Sequence, residues 1–145
     1  MIKIICLGKI KENYLNELID DYKKRISKYH KIEIIELKDE NDLLIEKNNI
    51  EKYISNQDYL IIMDIDGKDL DSVSFANKIE ETFNHNGTIT FIIGGSLGLT
   101  KELLDMCDLK ICFSKMTFPH QLIRVFLLEQ IFRAFKIQKG ETYHR

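Results

Sequence analysis

The sequence has no tryptophan, one proline and only three cysteines in 145 residues. The cysteines are odd in number, and Cys6, Cys107 and Cys112 are spaced like no zinc or redox motif, so a disulfide framework is excluded as the basis of the fold. Cys6 and Cys112 lie inside apolar runs and read as small buried hydrophobes in a reducing compartment, which fits a cytoplasmic location. No apolar run approaches the roughly 20 residues that a membrane-spanning helix needs. The opening stretch from Met1 to Gly8 is too short for a secretion signal and lacks the cleavage pattern. No cluster of His, Cys, Asp and Glu has metal-ligand spacing, so no metal is expected. A Ser-His-Asp arrangement and a nucleophile elbow are also missing. The balance of 21 basic against 23 acidic residues leaves a net charge of −2, which argues against binding nucleic acid by bulk charge but leaves room for a local site. One basic cluster exists, Lys23-Lys24-Arg25 with Lys28-Tyr29-His30-Lys31, and its ordinary reading is a solvated helix face.

What is present is a globular balance, 44% hydrophobic and 30% charged, in a chain long enough for one domain over 1–145 with a sizeable core. Internal repeats, low-complexity tracts and linkers are absent. Short β-branched runs at 2–7, 32–37, 59–64, 88–93 and 109–113 read as strands. Apolar residues at spacings of three and four mark helices at 12–29, at 43–54, around Phe75 to Phe83 with Ser72 as cap, and at 99–106 with Thr100 as cap. A long last helix spans 119–137, with Pro119 in its first position. Asp66-Gly67 reads as the turn that closes the third strand. Strands alternating with helices, several of them apolar without alternation, predict an α/β fold: a mostly parallel sheet with helices on both faces. The last helix has almost no polar face, and a helix apolar nearly all round needs cover on more than one side. A homodimer through it is the expectation.

Two loops follow strands at the end of the sheet where ligands bind in parallel α/β folds. Gly94-Gly95-Ser96-Leu97-Gly98 is neither a dinucleotide nor a P-loop fingerprint, and alone reads equally as a ligand loop or a tight turn. Phe113-Ser114-Lys115-Met116-Thr117-Phe118-Pro119-His120 reads as a ligand loop or an ordinary strand–helix connection; together the two make a shared pocket the better reading. Arg124, Glu129, Arg133 and Lys136 are the charges on the apolar helix, either a structural ion-pair set or catalytic groups. The ending Tyr143-His144-Arg145 joins a stacking ring, an imidazole and a cation, types that suit an RNA base and its phosphate. A non-catalytic α/β nucleotide-binding or regulatory domain explains the sheet and the glycine loop, but neither the second loop nor the tail.

In order along the chain, these segments resemble the RlmH family, ribosomal large-subunit pseudouridine N3-methyltransferases and minimal members of the SPOUT class. The resemblance rests on 92–98, on Ser114-Lys115-Met116-Thr117-Phe118-Pro119-His120-Gln121-Leu122-Ile123-Arg124-Val125, on Glu129-Gln130-Ile131-Phe132-Arg133-Ala134 and on Tyr143-His144-Arg145. Leu7-Gly8-Lys9-Ile10-Lys11 and Asp64-Ile65-Asp66-Gly67-Lys68 also fit, whereas 38–58 is shorter than the family pattern. The resemblance implies a C-terminal deep trefoil knot, a homodimer, S-adenosylmethionine as donor, and as substrate a pseudouridine in the helix 69 loop of 23S rRNA in the assembled ribosome. A SPOUT enzyme acting on tRNA is the alternative within the class. By motif position, Met63, Gly94, Phe113, Ser114, Lys115, Met116, Thr117 and Phe118 would hold the cofactor. Arg124, Tyr143, His144 and Arg145 would meet RNA, with Tyr143 and His144 reaching a partner subunit's site. His120, Glu129, Arg133 and His144 are the candidates, undivided, for acid–base or anion-stabilising roles.

Overall fold

The structure, a computed structural model, describes residues 1–144. Strands β1 (Ile2–Leu7), β2 (Ile32–Leu37), β3 (Tyr59–Asp69), β4 (Ile89–Ile93) and β5 (Leu109–Cys112) alternate with helices α1 (Asn13–Ile26), α2 (Leu43–Glu51), α3 (Ser72–Phe83), α4 (Lys101–Met106) and α5 (His120–Gln138). The strands form one parallel sheet in the order β2-β1-β4-β3-β5. Alternate side chains go to opposite faces. Ile2, Ile4, Cys6, Ile61, Phe91 and Ile93 join a core with α1, α3 and α5, while Ile5, Leu7, Leu60, Ile62 and Ile92 join a second core with Ile50 of α2 and Leu103 of α4. Both faces are covered, which is why these strands need not alternate with polar residues. Burial pushes the Cys6 thiol up to about 11, so it is an inert core group.

Helix ends differ from the sequence reading by the chemistry of the caps. Asp71, not Ser72, caps α3: its carboxylate accepts the Ser74 N–H at 2.7 Å, which frees the Ser72 hydroxyl to donate to Gln130 Oε1 at 2.7 Å. Thr100 caps α4 as expected, accepting from Leu103 N. Pro119 sits one position outside α5, with ψ 137°, and the helix starts at His120 without a side-chain cap. Packing holds this helix instead. Leu127, Leu128 and Ile131 are fully buried, at about 1.5–3 kcal/mol each against about 1 kcal/mol for a cap.

The flanks of α5 are α1 and α3 of the same chain. Tyr22 and Tyr29 pack on Phe132, and Gln138 Nε2 donates to Ala76 O at 3.0 Å. Most of the apolar perimeter from which a second subunit was expected is thus covered internally. Leu122 and Phe126 stay exposed, with Tyr14 and Leu18 exposed on α1.

The third strand does not end at Asp66-Gly67. Met63 pairs with Ile111, the next four residues loop out, and Lys68 then pairs with the same Ile111. A bulge re-aims a strand locally, and here it swings Asp64 and Ile65 over the end of the sheet. Gly67 is what lets it lie flat on β5, because a Cβ there would sit 2.7 Å from the Ile111 backbone. Gly67→Ala is expected to lower stability by about 1–3 kcal/mol, the usual cost of overpacking. Chemical denaturation checks this; a variant as stable as the parent removes the bulge from the argument.

Candidate active site

At the carboxyl ends of β3, β4 and β5 the bulge and the two loops close around a cavity of about 660 Å³, within the range of small-molecule sites. Met63, Gly94, Phe113, Ser114, Met116, Thr117 and Phe118 all line it, as does His120. Lys115 does not: it is exposed at the loop surface. Ile65, Leu99, Leu104 and Ile123, none of them a candidate from the sequence, supply apolar wall beside Leu97 of the glycine loop.

Local chemistry shapes each wall. In the glycine loop Gly98 N donates to Gly95 O at 3.1 Å, and Gly98 has φ 77°, a left-handed conformation that side chains resist. A Cβ on Gly94 would sit 3.1 Å from the Leu99 side chain and 3.3 Å from the Gly98 backbone, so the loop closes tightly on itself at the cavity's edge. In the second loop Ser114 Oγ accepts from Met116 N at 3.0 Å, and Cys112 Sγ donates to Ser114 O at 2.9 Å. Phe118 packs edge-on against Phe126, ring centres 5.6 Å apart.

Arg124 is corrected from RNA contact to internal clamp. It is 1% exposed. Its guanidinium donates to Glu36 Oε2 at 2.6 Å, to Gly8 O at 3.1 Å and to Leu7 O at 3.5 Å. Glu36 also accepts the Ile10 N–H at 3.1 Å. The clamp ties α5 to the ends of β1 and β2, beside the glycine loop, where a Cβ on Gly95 would meet Leu7 at 3.3 Å. With its fork directed inward, this guanidinium has no face left for phosphate.

The other polar candidates gather outside this cavity. Glu129 accepts from Arg133 at 2.6 Å, from the Tyr143 hydroxyl at 3.1 Å and from Gln130 Nε2 at 3.0 Å. The same hydrogen bonds raise the Arg133 pKa above its ordinary value. Burial, with Glu129 beside it, raises that of Tyr143. Arg133 Nη1 lies 3.0 Å from His144 Nδ1. A guanidinium only donates, so Nδ1 accepts and the imidazole proton sits on Nε2. Tyr143 stands edge-on to Phe132 and under Arg133, whose guanidinium carbon is 4.8 Å from its ring centre. Within one subunit, Tyr143 and His144 thus fold back on their own α5, where a reach to a partner was expected. Arg145 lies outside the described residues. His120 is apart from this group, near Gly8 in the donor cavity.

Among the described residues, no group of three His, Cys, Asp or Glu side chains is placed to hold a metal ion, and no helix is long and apolar enough to cross a membrane.

A parallel sheet with glycine and proline loops enclosing a cavity at its carboxyl end defines a small-ligand-binding α/β class, and comparison with known proteins narrows it. The family model described as "Predicted SPOUT methyltransferase" matches residues 1–144, and the chain belongs to the SPOUT methyltransferase family. Its curated relatives include "Ribosomal RNA large subunit methyltransferase H 1" of Clostridium perfringens (strain SM101 / Type A), 47% identical, with 99% of each chain covered. The "Ribosomal RNA large subunit methyltransferase H" of Clostridium botulinum (strain Kyoto / Type A2) is 48% identical at the same coverage. Both alignments run over 157 positions against 145 residues here, so this chain carries gaps relative to them. Among solved structures, a probable methylase family protein from Haemophilus influenzae Rd KW20 superposes with TM-score 0.54 at 15% identity, over 99% of this chain and 70% of that one. The SpoU methyltransferase AviRb from Streptomyces viridochromogenes gives 0.51 at 11% identity, over 98% of this chain and 62% of that one. These two share the fold.

Proposed function

We propose that the chain transfers a methyl group from S-adenosylmethionine to N3 of a pseudouridine in the helix 69 loop of 23S rRNA, in the assembled ribosome and in the cytoplasm. The observation that carries this reading is the cavity of about 660 Å³ that the bulge and both loops build in a chain so close to ribosomal RNA large subunit methyltransferases. The cavity fits such a donor. Phe113, Phe118 and Met63 offer apolar surface, the glycine loop offers bare backbone groups for a heterocycle edge, and Asp64 offers a negative charge for an ammonium. When bound, the donor supplies an electrophilic methyl on a sulfonium; the S–CH3 bond breaks as the N–CH3 bond forms, and the N3 proton leaves to a base or to water.

The chain's own residues position the partners. In-line placement of reactants supplies about 7–11 kcal/mol of a barrier, and here rigidity comes from the Arg124 clamp and the flat bulge. His144 Nε2–H and Arg133 are donors suited to a base that turns anionic as its N3 proton leaves. The deep knot belongs to this reading through the family resemblance. So does the homodimer, whose contact would use Leu122 and Phe126 of α5 with Tyr14 and Leu18 of α1. Sedimentation at micromolar concentration should give twice the chain mass, and a monomer rejects the dimer.

Two measurements test the activity. Calorimetric titration with S-adenosylmethionine should give one site per chain, and its failure favours a regulatory α/β domain. Methyl incorporation into whole ribosomes should exceed that into free 23S rRNA and tRNA, mapping to a single nucleotide of helix 69. Incorporation into tRNA alone moves the substrate elsewhere in the class.

A further inference from the structure

The basic cluster at the end of α1 is not alone in the folded chain. α1 and α5 pack along each other, which brings their carboxyl ends together on one surface. We propose that this joint surface is a second contact with ribosomal RNA, a seat for phosphates outside the modified loop. The proposal rests on the methyltransferase reading above and adds to it where the rest of the RNA is held.

Two helices supply the cations. Arg25 of α1 lies 5.7 Å from the Phe132 ring centre and Lys136 of α5 lies 5.5 Å from it, so one aromatic ring carries a cation from each helix. Lys136 is also 5.8 Å from the ring centre of Tyr29, which stacks on Phe135 at 5.7 Å. The tail is tied in here too: Glu141 accepts from Lys136 Nζ at 2.6 Å and from the Tyr29 hydroxyl at 3.1 Å. Around this centre stand Lys23, Lys24, Lys28, Lys31 and Lys139, all exposed.

The charge is uneven across the molecule. Residues 20–31 and 129–141 hold eight lysines and arginines against four carboxylates, whereas the remaining residues hold 13 against 19. Three of those four carboxylates are already neutralised, Asp21 by Arg25, Glu129 by Arg133 and Glu141 by Lys136. Among the described residues, Lys23, Lys24, Lys28, Lys31 and Lys139 take part in no ion pair. The α1 macrodipole accounts for basic residues in its last turn, but Lys28 and Lys31 lie beyond that turn and Lys139 follows another helix.

The surface suits RNA better than a protein. Protein interfaces are centred on apolar or aromatic anchors, and the exposed large hydrophobics of α1 are Tyr14 and Leu18, nearer its other end. Flexible ammonium groups make point contacts with phosphates. From His120 at the donor cavity to Lys136, α5 runs about 24 Å at a rise of about 1.5 Å per residue. The contact is therefore one of docking, beyond the acceptor nucleotide.

Lys24→Gln/Lys28→Gln/Lys139→Gln removes three charges with little change in helix propensity. KM for ribosomes should rise about tenfold, the scale of three exposed ion pairs. The slope of log KM against log salt concentration should become shallower by about 2–3. Filter binding to protein-free 23S rRNA should weaken in step, while kcat, S-adenosylmethionine affinity and melting temperature stay parental. Lys38→Gln/Lys47→Gln/Lys52→Gln, which removes the same charge around α2, should leave every value parental. Parental KM and salt slope in the first triple overturn the proposal. An equal effect in the second triple also overturns it, by reducing the patch to net charge. So does a raised KM for ribosomes with parental binding to protein-free rRNA, which assigns the patch to a ribosomal protein. A parent chain that methylates no ribosomes defeats the function alone, and rRNA binding by the two triples still decides the patch.

Discussion

Removing residues 143–145 is expected to abolish methylation of ribosomes while leaving S-adenosylmethionine affinity unchanged. None of the described tail residues lines the donor cavity. The Tyr143 hydroxyl donates to Glu129 and His144 Nδ1 is held by Arg133, which leaves the other ring nitrogen of His144 to face outward from the pair. Without the tail, Glu129 and Arg133 keep each other, through bonds of 2.6 and 3.1 Å, but the acceptor side loses the imidazole donor. Loss of a positioned donor to developing charge costs about 10²–10³ in rate, and loss of a closing element adds to it. The tail also covers Phe132, so a modest fall in melting temperature accompanies truncation. His144→Ala separates the effects: methylation drops while stability holds. Full activity in the truncated chain ends the assignment of the tail to the acceptor site.

Replacing Arg124 by methionine should be strongly destabilising. Its apolar stem volume is kept, but Glu36 and the carbonyls of Leu7 and Gly8 lose their shared donor. Breaking a buried pair by removing one partner costs about 3–5 kcal/mol. Glu36 keeps a 34% exposed side chain and can turn to water, so the lower figure, about 3 kcal/mol, is expected. That is a large share of the 5–15 kcal/mol by which such domains are stable. Donor affinity should fall too, since the clamp abuts the glycine loop. Arg124→Lys does not rescue, because one ammonium cannot span three acceptors on two strands. Urea denaturation with parallel donor titration checks both effects. A loss under 1 kcal/mol makes the clamp ornamental.

The sheet was legible in the sequence because its strands are short, β-branched and bounded by Gly8, Gly87 and the loops. The two loops that line the larger cavity were legible because glycines and the lone proline fall just after strands. Features that depend on contacts between distant segments were not. Asp66-Gly67 carries a turn signature, and only the partner strand shows that β3 resumes pairing with Ile111 beyond it. Arg124 read as either part of an ion-pair set or an RNA contact, since its partner Glu36 is 88 residues away. The last helix looked in need of a second subunit because periodicity says that a face is apolar without saying that α1 and α3 already cover it.

The Arg124 clamp has a consequence for how the protein is made. A ribosome synthesises β1 and β2 first, yet Glu36, Leu7 and Gly8 receive their common donor from residue 124 of 145. Until α5 emerges, the early strands hold an unneutralised carboxylate and two bare carbonyls at the rim of the future donor cavity. The clamp therefore closes only once α5 has been synthesised and docked, which couples the earliest strands to one of the last elements described.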